Sequence, residues 1–147
     1  MGKQSKVIVV TDGASRGNPG PAAMAFGIYD ENGNLLHEEA EYIGNATNNE
    51  AEYLALARAL DKCREYWGWA VEHYTDSQLV VNQLEGKWAV KARNLKPLIK
   101  QISNMKRSFK SMTHKQLPRR NPMIRQIDML VNEKLNQATR SRKRPTA

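Results

Sequence analysis

A chain of 147 residues, 40% hydrophobic and 26% charged, suits one ordinary globular domain that can bury a core without cross-links, not a disordered or fibrous chain. Its one cysteine, Cys63, rules out an intrachain disulfide, no apolar run approaches the roughly 20 residues of a membrane span, and the start MGKQSKVIVV lacks a signal-peptide core and cleavage site, so a cytoplasmic monomer without a membrane partner is expected. The formal net charge of +8 is uneven, because Arg140, Arg142, Lys143 and Arg144 leave only +4 on the rest, and a basic excess of this kind favours a polyanionic partner without by itself selecting nucleic acid.

Lys6 to Asp12 (KVIVVTD) is a short β-branched run and reads as a buried strand. Gly13, Gly17, Asn18, Pro19 and Gly20 then form a turn-rich loop. Ala22 to Tyr29 and Leu35 to Ile43 read as two further strands, joined through the hairpin-type turn around Gly33. Thr47 opens a helix to about Glu65, with the capping-box spacing Thr47-Asn-Asn-Glu50. After a connector from Tyr66 to Ala70, Val71 to Asp76 reads as a fourth strand, followed by a short helix from Ser77. A helix over Leu95 to Phe109, a strand over Ser111 to Leu117 and a helix over Pro122 to Gln137 complete the body. Residues 1–138 therefore form the expected domain, and residues 139–147 a basic, disordered tail. Short connections between the first three strands suit hairpins, and the later helical ones suit parallel crossovers. The expected fold is α/β: a five-stranded mixed sheet, three antiparallel strands and then parallel ones, with helices on both faces.

Four carboxylates are candidates for a shared site, and one of them stands where a stable fold would not readily put it. Around the wheel of the first helix, Ala55, Leu56, Ala59, Leu60 and Cys63 form an apolar arc, and Glu52 falls near its middle. A core-facing carboxylate costs several kcal/mol, on the order of the buried-ion penalty, unless a cation or donor meets it. Glu50 is accounted for by the capping box; Glu52 has only the helix dipole as an ordinary explanation. Asp12 and Asp76 each end a strand, where open α/β sheets gather ligands, although an Asx turn at Gly13 and an N-cap before the second helix would also explain them. Asp128 lies at the rim of the stripe Ile124, Ile127, Val131, Leu135, Ala138, a position that plain surface can occupy. Such a carboxylate set, without a cysteine or histidine cluster, suits Mg²⁺ or Mn²⁺ over zinc. Magnesium held this way points to phosphoryl-transfer chemistry.

Three segments carry a family resemblance: TDGASRGNPG, TNNEAEYLAL and TDSQLVVNQLEGKW, in this order. Together they resemble type 1 ribonuclease H, and the resemblance runs from about Val7 to Asn136. It implies an endonuclease that hydrolyses the RNA strand of RNA–DNA hybrids with two Mg²⁺ ions (Mn²⁺ able to substitute), leaving 5′-phosphate and 3′-hydroxyl ends. It further implies that Asp12 bridges the two metals, that Glu52 and Asp76 hold the leaving-group metal, and that Asp128 completes the other. Ser15, Asn18, Asn48, Asn49 and Gln78 match positions that read the hybrid's minor groove, where RNA displays its 2′-hydroxyl. Thr47 matches a phosphate contact on the DNA strand, and Trp88 an aromatic packed on the DNA backbone.

The chain departs from the family pattern twice. Gln116 stands where many members carry a histidine, and the segment Arg120 to Asp128 is lengthened. His114, two residues before Gln116, shares its strand face and is a candidate for product release, against the plainer reading of a surface histidine; His37 and His73 read as structural or surface residues. Between Trp88 and Leu95 there is only Ala89-Val-Lys-Ala-Arg-Asn94, so the chain lacks the basic handle of some members, and Lys87, Lys91, Arg93 and the basic tail are expected to substitute in part. Competing readings are a relative that also cuts double-stranded RNA, a non-catalytic hybrid-binding module, and an integrase-like enzyme. The intact carboxylates argue against the module, and TNNEAEY with the NPG loop argues against the integrase.

Overall fold

The structure, a computed structural model, describes residues 5–143. Three strands, β1 (Lys6–Ser15), β2 (Gly20–Asp30) and β3 (Leu35–Ala46), precede helix α1 (Asn48–Lys62). Then come β4 (Ala70–Thr75), α2 (Gln78–Leu84), α3 (Lys96–Lys106), β5 (Ser111–Gln116) and α4 (Pro122–Lys143). The sheet order is β3-β2-β1-β4-β5, antiparallel from β3 to β1 and parallel from β1 to β5, as expected. No helix stands between Leu84 and Lys96, so the handle is absent. Among the described residues no helix is long and apolar enough to cross a membrane.

Side-chain alternation divides the core in two. Val7 and Val9 of β1 and Met24, Phe26 and Ile28 of β2 pack with Tyr53, Leu56 and Leu60 of α1 and Ile102 of α3. From the opposite face, Val10 of β1 and Ala23, Ala25 and Tyr29 of β2 pack with Ile124, Ile127, Val131 and Leu135 of α4. Both faces are therefore covered, α1 and α3 on one and α4 on the other. Each fully buried side chain of this kind contributes about 1.5–3 kcal/mol.

The capping box forms as its spacing predicts. Thr47 Oγ1 accepts from Glu50 N at 3.1 Å, and Glu50 Oε1 accepts from Thr47 N at 2.9 Å. The apolar arc of α1 is wider than the wheel suggests, since Ala51, Tyr53 and Ala57 are buried too. Here α1 is covered by α3 as well as by the sheet, which its own periodicity cannot report.

Several boundaries differ by a few residues, β3 running on to Ala46 and α1 and α3 ending early at Lys62 and Lys106, and two shifts bear on the site. β1 continues past Asp12 to Ser15, because β2 keeps pairing with it as far as Ser15↔Ala22. α4 runs to Lys143, so Thr139 to Lys143 are helical and not a disordered tail; residues 144–147 of that expectation lie outside the described residues. Tertiary contacts explain the extension. Arg16 donates to Asn136 Oδ1 at 2.7 Å and to Thr139 Oγ1 at 3.4 Å, and Thr139 Oγ1 donates to Leu135 O at 2.8 Å.

Gly13 sets the separation of β1 from α1. A Cβ there would lie 2.4 Å from the Ala51 carbonyl carbon and 2.6 Å from Glu52 N, both rigid backbone. Gly13→Ala should therefore destabilise the protein by about 1–3 kcal/mol, the usual cost of overpacking. The check is the urea midpoint, and an unchanged midpoint would show that the two elements can part without cost.

Candidate active site

The cleft is built where two neighbouring parallel strands part. The β1–β4 ladder ends at Val10↔Tyr74, and Asp12 and Asp76 each lie two residues beyond it. Asp12 shares strand parity with Val10 and so leans toward the α4 face, where Asp128 stands. Glu52 comes from the first turns of α1, held close by the contact at Gly13. The four carboxylates line one cleft of about 330 Å³, together with Gly13, Ala14, Asn48, Asn49, Ser77 and Arg119. Carboxylate oxygens of Asp12, Glu52 and Asp76 come within 4.8 Å of one another. Asp128 stands outside that trio but lines the same cleft, close enough for its carboxyl to raise that of Asp12. The lengthened segment before it thus does not keep it from the others.

Asp12 and Glu52 are each only 6% exposed. Burial, the close approach of the Asp128 carboxyl and the charges of Asp76 and Asp128 push the Asp12 carboxyl up to about 8. Burial and the charges of Asp12 and Asp76 hold the Glu52 carboxyl well above its ordinary range. Thr75 Oγ1 donates to Glu52 Oε2 at 3.4 Å, which relieves little of this. The donor set fits a hard divalent cation: it is all oxygen, tightly spaced, and burdened with like charge that a cation would neutralise.

Other expected residues fall into three groups. Asn48 and Asn49 line the cleft, and Asn48 ties in the glycine-rich loop. Its Oδ1 accepts from Ser15 N at 2.7 Å, and its own N–H donates to Asn18 Oδ1 at 2.9 Å. Thr47 is engaged as the α1 cap but keeps its hydroxyl proton for a further acceptor. Gln78, in the first turn of α2, donates to Asn82 Oδ1 at 3.0 Å, and Trp88 is half exposed beyond α2; neither lines the cleft.

His114 is not the exposed histidine that the plainer reading expected. It is 3% exposed on β5, and His73 on β4 is fully buried. Their Nδ1 atoms are 2.8 Å apart, and His73 Nε2 lies 2.7 Å from Thr11 Oγ1, which leaves His114 turned into the fold and away from the carboxylates. The product-release role therefore loses its basis. Sequence reasoning instead passed over Arg119, whose Nε donates to Asp76 Oδ2 at 3.2 Å. Gln116, next along, donates from Nε2 to the Asp76 carbonyl at 3.1 Å. The pairing Thr75↔Gln116 puts both beside Asp76, a register that only the folded sheet reveals.

These shifts have opposite consequences for stability. Burial lowers His73 to about 3 and His114 to about 2, so both stay neutral in the fold. Their contribution is fully present above the unfolded value of 6.5 and is lost as pH falls from there toward 3, at up to about 1.4 kcal/mol per pH unit for each ring. A His73→Gln, His114→Gln double variant should flatten the fall of the urea midpoint between pH 6.5 and 4.5; an unchanged slope would exclude the pair as its source. For Asp12, raised from 3.8 to about 8, the folded state holds its proton over that interval while the unfolded state has lost it. Stability therefore declines as pH rises through the interval. Asp12→Asn should raise the metal-free melting temperature at pH 8, with the gain fading toward pH 4. The same variant should respond less to added divalent metal than the parent protein.

Residues 10–133 match the reverse transcriptase-like family. Among solved structures, LC11-RNase H1 from compost, crystallised in complex with an RNA/DNA hybrid, is 39% identical with a TM-score of 0.84, covering 90% of this chain and 99% of that one. The N-terminal RNase H domain of Rv2228c from Mycobacterium tuberculosis is 35% identical with a TM-score of 0.86, covering 93% and 98%. The Ribonuclease HI of Halobacterium salinarum is 37% identical over 127 residues. The chain spans 63% of the length of that relative and 37% of the whole bifunctional Rv2228c protein. By its sheet, its carboxylates and this likeness, the chain belongs to the type 1 ribonuclease H branch of the reverse transcriptase-like family.

Proposed function

We propose that this protein is an endonuclease that hydrolyses the RNA strand of RNA–DNA hybrids, leaving 5′-phosphate and 3′-hydroxyl ends. One observation carries the reading: Asp12, Glu52, Asp76 and Asp128 converge in one cleft in a chain that covers nearly all of a relative crystallised with such a hybrid. The four carboxylates would hold two Mg²⁺ ions, with Mn²⁺ able to substitute. Bound there, the metals would activate water and stabilise the leaving oxygen.

The chain's own groups do the rest. Burial of Asp12 and Glu52 excludes bulk water from the inner cleft and strengthens their interaction with any cation. Asn48 and Asn49 present short polar side chains at the cleft wall, Asn48 being steadied by Ser15 N and Asn18 Oδ1, and such groups suit a shallow minor groove lined with 2′-hydroxyls. Pairing of Arg119 with Asp76 keeps a cation at the rim, where an incoming phosphate would meet it. Ser77, which caps α2, fixes the turn that carries Asp76 into the cleft. Cytoplasmic location and a monomeric state belong to the same proposal, in keeping with the free, buried Cys63.

The test is cleavage of matched RNA–DNA, RNA–RNA and DNA–DNA duplexes in Mg²⁺, Mn²⁺ or EDTA. The RNA strand of the hybrid should be cut in either metal and left intact in EDTA. Asp12→Asn should lower turnover by about 10³-fold or more, because one group would anchor both ions, while hybrid binding stays measurable. Undiminished turnover in that variant would end the two-metal reading, and equal cutting of double-stranded RNA would widen the substrate class.

A further inference from the structure

The cleft does not end at the carboxylates. At Asp128 it meets a larger and more open depression of about 530 Å³ on the first turns of α4, lined by Pro122, Arg125, Gln126 and Met129. Asp128 lines both hollows, so a strand seated over the carboxylates has a continuous path onto α4.

That path is edged with positive charge. From Gly86 to Ile127 the chain carries twelve lysines and arginines and no aspartate or glutamate. Arg119 lines the catalytic cleft and Arg125 the depression, Arg120 follows Arg119 in the turn that leads to Pro122, and all three are exposed. Among the described residues only one basic side chain of the whole tract, Arg119, makes an ion pair, and that partner is Asp76 itself. Outside the tract Lys6 meets Glu72, Arg58 meets Glu41, Lys62 meets Glu39 and Arg64 meets Asp61. Glu85 lies near Lys106 and Glu72 near Lys115, but like charge of this density with so few carboxylates beside it favours a covering polyanion. Met129, 46% exposed, adds an apolar floor of the kind a sugar or base can cover.

We propose that this depression is a second nucleic-acid subsite, holding backbone phosphates of the cleaved strand just outside the catalytic cleft through Arg120 and Arg125. The occupant follows from continuity. The hollow opens from the cleft at Asp128, so the strand that enters it is the one lying over the carboxylates, which the proposed function identifies as RNA. The subsite rests on that reading and deepens it by giving the enzyme a one-sided grip on RNA flanking the cut.

The experiment compares three hybrids in EDTA: a core duplex just long enough to fill the cleft, and two versions extended by about six base pairs on one side or the other of the cut. Affinity is measured against salt concentration for the parent protein, an Arg120→Gln, Arg125→Gln variant and an Arg120→Lys, Arg125→Lys variant. Each phosphate contact contributes about 0.7–0.9 to the slope of log affinity against log salt, so losing two should lower it by about 1.4–1.8. The glutamine variant should show that loss, and weaker binding, on one extended hybrid only, and the lysine variant should retain most of both. Equal losses on all three hybrids would mark a general charge effect, and no loss on any would leave the arginines without a strand; either overturns the subsite. Cleavage of the core hybrid in Mg²⁺ is scored in parallel. If it proceeds equally in parent and variants while the extended hybrids show no asymmetry, the subsite alone fails; if the parent cuts no hybrid, the function itself fails.

Discussion

Gathering several carboxylates in one small volume is unfavourable, and much of this fold can be understood as what keeps them together. Burial and mutual repulsion raise Asp12 and Glu52 far above the ordinary carboxylate range. Left to themselves, the groups would part. They do not, because each is fixed by a different rigid element: Asp12 by β1, Asp76 by the end of β4, Glu52 by the head of α1 and Asp128 by α4. Gly13 brings two of these into register by letting β1 touch the α1 backbone. The cleft thus stores electrostatic strain that the packed core on both faces sustains.

A buried polar layer lies just beneath that cleft. Thr11, His73 and His114 link β1, β4 and β5 through neutral rings, one strand level below the point where the ladder opens. Neutrality follows from burial, which disfavours an imidazolium at either ring. The histidines and the carboxylates therefore pull stability in opposite directions with pH. In the metal-free protein the ring contribution is lost as pH falls below 6.5 while the Asp12 penalty grows as pH rises above 3.8, so the two effects oppose each other across that overlap.

The resemblance was legible in three local motifs, and the order and type of the five strands and four α-helices in residue patterning, but not the 3-10 turn at Arg64–Tyr66. Glu52 was physically legible as well, because one helix turn suffices to show a carboxylate among alanines and leucines. Asp128 was much less so. Its rim position says nothing of what it faces, and the segment before it is longer than the family's pattern. Arg119 carried no signal, since its partner Asp76 is 43 positions away and meets it only through the β4–β5 register. His114 misled for the same reason: strand parity gives its face but not what covers that face.

Local chemistry was thus decided by the sequence itself: the capping box at Thr47 and Glu50, the alternation in β1 and β2, the hairpin turn at Gly33, and the misplaced glutamate in α1. These depend on neighbours a few residues away, whose geometry the backbone dictates. Which of the carboxylates meet, how far α4 runs, and where the free arginines collect were decided only by the tertiary structure. Each depends on long-range pairings, Arg16 with Asn136, Thr75 with Gln116 and β1 with α1 at Gly13, whose partners are distant in sequence. The four carboxylates become one site only when α4 closes over the face that Asp12 shares with Val10.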